Sequence, residues 1–232
     1  IVQNLVMERI FDKELTALKE RLLYMGSMAQ GMIRVAIKGL VERDEPILEE
    51  VFKNEEEVNH LQIEIDDMAM KLLALRQPMA VDLRFIAASI KINSELERIA
   101  DQAVNVCQNT QVLLKYPLLK PLIDIPRMAE IAQKMLNDSL EAFVNRDPDE
   151  AQVTLAEDDK LDSLKDQLFR ELLTYMISDP STIQRALCLI LISRNLERIG
   201  DHATNICEDV IYMVQGRDIR HPQKPPTPMK FH

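Results

Sequence analysis

Residues Leu96–Cys107, "LERIADQAVNVC", and Leu196–Cys207, "LERIGDHATNIC", are two copies of one motif set 100 residues apart and identical at eight of twelve positions. Each copy carries a Glu and an Asp four residues apart, Glu97/Asp101 and Glu197/Asp201, a spacing that puts like charges side by side on a helix. The likeness extends outward. "RD" at Arg43–Asp44 returns at Arg146–Asp147, an offset of 103, and at that offset "EEEVNHL" from Glu55 lies over "DDKLDSL" from Asp158. "QP" at Gln77–Pro78 lies over "DP" at Asp179–Pro180, after which the offset settles at 100. Such a period is too long for a short-repeat solenoid and describes a duplicated unit.

Each unit reads as three helices. Leu15, Leu18, Leu22, Met25, Ala29, Ile33, Ala36 and Leu40 step by three and four, predicting a helix over 15–43 that breaks at Asp44-Glu45-Pro46. Val51, Val58, Leu61, Ile65, Met68, Leu72 and Leu75 mark a second over 47–75, and Ile92, Leu96, Ile99, Ala103, Val106 and Leu113 a third over 80–114. Seams of this kind describe antiparallel helices packed at shallow angles. "KYPLLKPLIDIP" (Lys115–Pro126) is a linker, and 127–214 repeats the pattern. The expected fold is all-α: two tandem pseudo-symmetric three-helix bundles with six long helices, residues 1–117 and 118–232. The second includes an irregular tail, "RHPQKPPTPMKFH".

Composition agrees with helices. The 232 residues include no Trp, five Gly, twelve Met and 4% aromatic residues, too few aromatic and turn residues for a sheet protein. A net charge of −10 argues against nucleic acid as a partner, since phosphate backbones need a basic face. The longest wholly apolar run, Ala186–Ile192, is too short to span a bilayer, and "IVQNLVMERIF" lacks the pattern of a secretory signal. Cys107, Cys188 and Cys207 have no CxxC spacing and read as buried thiols in a reducing cytoplasm.

Helical geometry places Leu96, Ile99, Ala100 and Ala103 toward the core, Glu97 at the edge of that stripe, and Asp101 and Asn105 further round. Glu197, Asp201 and Asn205 occupy the equivalent places, and Gly200 for Ala100 lets a neighbouring helix come close. The simplest account has Arg98 and Arg198 swing to the Asp three residues on, leaving solvated faces. Against it, the second helix of each unit has its own pair at matched positions, Glu55/Asn59 and Asp158/Asp162, and the second and third helices must be neighbours. Four oxygen-bearing side chains at such a rim suit a hard cation: Mg, Mn, Ca or iron. The second rim, with four acids, is the stronger. His202, following Asp201, is more simply a surface residue than a ligand.

The chain resembles the PhoU family. The likeness rests on "QPMAVDLRFIAASIKINSELERIADQAVNV" (Gln77–Val106), "RNLERIGDHATNI" (Arg194–Ile206) and "GRDIRH" (Gly216–His221), and on the repeated E(D)xxxD box. The resemblance implies a non-enzymatic cytoplasmic regulator of phosphate uptake and starvation signalling. It would be peripheral to the inner membrane face through its partners, the ATPase of the phosphate transporter and a sensor histidine kinase. It also implies metal, iron above all, on Glu97, Asp101, Glu197, Asp201, Glu55, Asp158 and Asp162, with Asn59, Asn105, Asn205 and His202 weaker candidates. Asn59 departs from the acidic pattern. Two other readings stand beside it: a ferritin-like di-iron enzyme, for which Glu57–His60 is one ExxH match without a counterpart, and a metal-free helical adaptor. The Met-containing seams and Leu118, Leu119 and Leu122 leave a homodimer open.

Overall fold

A computed structural model describes the backbone of residues 2–220 and the side chains of residues 10–220. The irregular tail expected from 220 onward therefore lies, Arg220 apart, outside the described residues. Helix α1 runs Val2–Glu42, starting well before the first seam residue, Leu15. It ends at Arg43, whose φ of 58° is left-handed and stops the helix, and Pro46–Leu48 makes one 3-10 turn into α2 (Glu49–Arg76). Gln77, again left-handed, and Pro78 separate α2 from α3 (Ala80–Leu114). Among the described residues there is no strand.

The second unit opens with α4 (Asp124–Asn145), closed by left-handed Arg146 just as Arg43 closes α1. Its middle helix differs from the expectation: it is two helices, α5 (Pro148–Leu155) and α6 (Asp158–Ser178), where the first unit has α2 alone. Two features favour the break. Asp147 caps α5, its carboxylate accepting from the N–H groups of Asp149 and Glu150, and Asp158–Asp159 supply the acids that a new helix N-terminus favours. Pro180–Thr182 turns the chain into α7 (Ile183–Gln215), which ends at Gly216 with φ 68°.

One continuous core runs through both units, from Leu18, Leu22 and Met25 of α1 to Ile199, Ile206 and Val210 of α7. Leu96 and Leu196 are fully buried, each contributing about 1.5–3 kcal/mol of transfer free energy. The most extensive helix–helix contact joins the units: α3 lies antiparallel along α7, with Arg84 donating to Met213 O at one end and Tyr116 to Gln184 at the other. The linker is pinned, not loose. Arg43 donates to the carbonyls of Leu114 and Tyr116, and buried Lys120 binds Asp124 and Glu171. Leu119 and Leu122 pack on the core, so of the three linker leucines only Leu118 stays fully exposed.

Candidate metal rims

The duplicated acids sit where the motif geometry puts them, at the margins of the packed faces of α3 and α7. Glu97, Asp101 and Glu197 are half-buried and Asp201 is exposed, while Leu96, Ile99, Ala103 and their counterparts fill the core. On α2 and α6, Glu55 and Asp158 are half-buried, and Asn59 and Asp162 are exposed.

In the second unit the four acids gather. Burial, then repulsion from Asp201, Asp162 and Glu197, push the Asp158 carboxyl up to about 6. Burial and the neighbouring acids raise Asp201 as well. Gly200 makes this approach possible: a Cβ there would stand 2.6 Å from Leu161 Cδ2 and 3.3 Å from Asp158 Oδ1. Lys165, which motif reading missed, enters the same rim, its Nζ 2.7 Å from Asp162 and 2.9 Å from Glu197. Those two acids are therefore partnered; Asp158 and Asp201 make no ion pair among the described residues. Lys165 lies three residues after Asp162, a pairing that i,i+3 spacing makes legible.

The first rim is sparser. Glu97 and Asp101 are raised mainly by burial, and Glu97 further by repulsion from Asp101 and Glu55, so these three acids are neighbours. Arg98 does not swing to Asp101. It reaches back to Glu95, at 3.2 Å. Among the described residues Arg198 makes no ion pair either, so the arginine-neutralised account fails in both copies.

His202 and Asn205 are not part of the second rim. His202 is buried, and its Nδ1 lies 2.7 Å from Glu95 Oε2 across the α3–α7 contact; Asn205 donates to the same oxygen at 3.1 Å. Its exposure as a simple surface residue is thus overturned, because α3 covers that side of α7. Asn105 is half-buried and accepts from Asn109 through its backbone carbonyl; among the described residues its side chain makes no bond to the acids. Glu95, immediately before the motif, stands opposite Asn195 in the repeat and carried no duplicated pattern to reveal it. Glu57 and His60, the ferritin-type match, are both exposed on α2 and not turned inward.

The donor set of each rim is oxygen-rich, as hard cations require. As the side chains stand, no three His, Cys, Asp or Glu residues among the described residues converge closely enough to hold a metal ion. The oxygen donors suit such a cation in chemistry but are not drawn together as a ligand set, and Lys165 occupies half of the second rim.

The chain matches the family model described as PhoU domain twice, over residues 22–110 and 125–210. The chain belongs to the PhoU family. It is 38% identical over 210 residues to the phosphate-specific transport system accessory protein PhoU homolog of Caulobacter vibrioides, covering 90% of this chain and 91% of that one. With the PhoU homolog 2 of Thermotoga maritima the identity is 37%, covering 90% and 89%. The crystal structure of PhoU from Pseudomonas aeruginosa matches at TM-score 0.86 and 35% identity, covering 89% of this chain and all of that chain. Relatives of this kind are named as accessory and regulatory proteins of phosphate transport, and this chain is a PhoU-family accessory or regulatory protein. No helix among the described residues is long and apolar enough to cross a membrane.

Proposed function

We propose that this PhoU-family chain regulates phosphate uptake and phosphate-starvation signalling by docking, at the cytoplasmic face of the membrane, to the ATPase of a phosphate transporter and to a sensor histidine kinase. The two acidic rims are its metal sites. Glu97, Asp101 and Glu55 hold a cation in the first; Asp158, Asp162, Glu197 and Asp201 hold one in the second, where Lys165 competes with it. Bound metal supplies positive charge to faces that are otherwise anionic and self-repelling. Iron is the first expectation from the family, and Mg, Mn or Ca suit the same oxygens.

The observation that carries the metal reading is the close approach at Gly200, which sets Asp158 against α7 beside Asp201 and two further acids that share a single lysine. Elemental analysis of protein purified without added metal tests it. Metal should be lost stepwise when Glu197→Ala with Asp201→Ala, and then Glu97→Ala with Asp101→Ala, are introduced. Unchanged metal content in the quadruple variant overturns the rims as sites. Pull-down with the purified transporter ATPase and kinase, with and without chelator, tests docking separately: loss on chelation assigns metal a part in it, and failure to bind under either condition overturns the partnership.

A further inference from the structure

The two rims differ by a matched set of residues. At the 103-residue offset, Asn59 stands for Asp162, Gln62 for Lys165 and Ile63 for Asp166. Three charged residues of α6 thus replace two amides and an isoleucine of α2 on a shared helical frame, and their charges interlock. Lys165 Nζ lies 2.7 Å from Asp162 and 2.9 Å from Glu197, bridging α6 to α7. The same atom is 4.0 Å from Asp166, an exposed acid outside the four of the rim. Three acids and no base in the first rim, against four acids and one lysine in the second, leave both with the same net charge. The extra acid and the lysine came together, and the fold needs neither. A cation therefore already stands in the second rim: the ammonium of Lys165, charged at neutral pH. Beside it a groove of about 310 Å³ opens between α6 and α7, lined also by Asp166, Phe169 and Arg194. The lysine has room to leave the rim without a helix moving.

We propose that Lys165 is an exchangeable counter-ion of the second rim: in the metal-free chain its ammonium bridges Asp162 and Glu197, and a bound divalent cation expels it into the α6–α7 groove, onto Asp166. The inference rests on the metal reading of the rims and adds how one of them is regulated. A divalent ion needs the carboxylate oxygens that the ammonium occupies, and two positive charges on one pair of acids repel. The displaced lysine then needs another acid within its reach, which Asp166 supplies. Both ends of this exchange exist only in the second unit, where Asp162 and Asp166 replace Asn59 and Ile63. The first rim, with Gln62 at the lysine's place, takes up metal without expelling a cation. Loading of the second rim also changes the groove: Lys165 joins Arg194, which makes no ion pair among the described residues, on an open face. Metal occupancy is thereby converted into a change of surface charge.

Manganese(II) is the probe, added to the full chain carrying Glu97→Ala and Asp101→Ala so that the second rim is tested by itself. Binding is followed by loss of the free-ion electron paramagnetic resonance signal. Acetylation of lysine amines is read in parallel by peptide mass spectrometry, with Lys38 of α1 as the reference. Lys165 should be acetylated slowly in chelator and severalfold faster with manganese bound, while Lys38 keeps its rate. Lys165→Gln borrows the first unit's residue, so it should keep the helical circular dichroism. It should bind manganese about 10-fold more tightly, the effect of one unit charge on a divalent ion roughly 5 Å away in a water-like dielectric. Manganese bound with Lys165 as protected as in chelator overturns the exchange and leaves the metal reading standing. So does a folded Lys165→Gln chain that binds no more tightly. If neither chain takes up manganese, the metal reading falls and the exchange falls with it. Should Lys165→Gln lose its helices, the acetylation of Lys165 in the chain that keeps it decides alone.

Discussion

Asp158 opens α6, where the unpaired N–H groups of a helix start favour an anion, yet its carboxyl is pushed up to about 6. Burial and four neighbouring acids outweigh the helix dipole. The sign of the consequence follows: between its ordinary value near 3.8 and about 6, the folded state binds more protons than the unfolded state. Stability of the metal-free protein should therefore fall as pH rises from about 4 to about 6 and level off above. Asp158→Asn removes that contribution. The variant should match the parent near pH 4 and exceed it at pH 7 by on the order of 1 kcal/mol, discounted because solvent still screens the site. Urea unfolding in chelator at several pH values measures it. A variant no more stable than its parent at pH 7 would show that Lys165 alone relieves the rim.

Helices are where the sequence was most legible. The stops at Arg43 and Arg146 were visible as a repeated "RD", and the seams of α1, α2 and α3 follow from three- and four-residue steps of Leu, Ile and Met. The α5–α6 break was not visible, because Val153 and Leu155 continue the apolar spacing and only the cap at Asp147 and the acids at 158–159 favour restarting the helix. The rims were legible for the same reason as the seams: their acids lie at fixed steps on single helices. Lys165 and Glu95 were not, since both act between helices, and that placement depends on packing that no single-helix spacing records. The cap itself is testable at this scale. Asp147→Ala frees the N–H groups of Asp149 and Glu150, bonded at 2.9 and 3.1 Å, and should cost about 1 kcal/mol. For a chain this long that is a fall of about 2–4 °C in Tm by thermal melt. Asp147→Asn should recover most of it, since an amide oxygen caps nearly as well; equal losses in both variants would locate the effect outside the cap.

Across the whole molecule, the long α3–α7 contact holds the two units together, and its polar centre is Glu95. The carboxylate of Glu95 has no proton to give at neutral pH, so His202 Nδ1 carries one and donates it, while Asn205 donates alongside. Burial pushes the Glu95 carboxyl up, but the bonds from His202 and Asn205, with the charges of His202 and Arg98, hold it below the usual carboxylate range. This network joins the motif of one unit to the motif of the other: Glu95 lies two residues from Glu97, and His202 follows Asp201. A depressed folded value stabilises the protein above the ordinary Glu range and loses that contribution as pH falls through the folded value. Glu95→Gln should therefore destabilise the chain at pH 7 by about 1.5–3 kcal/mol, the size of a hydrogen bond to a charged group. The gap to the parent should close below about pH 4. Because the contact spans both units, the loss should appear in one cooperative unfolding transition read by circular dichroism, not in a separate melting of either half. A constant deficit from pH 3 to 8 would assign the effect to packing of the side chain and not to its charge.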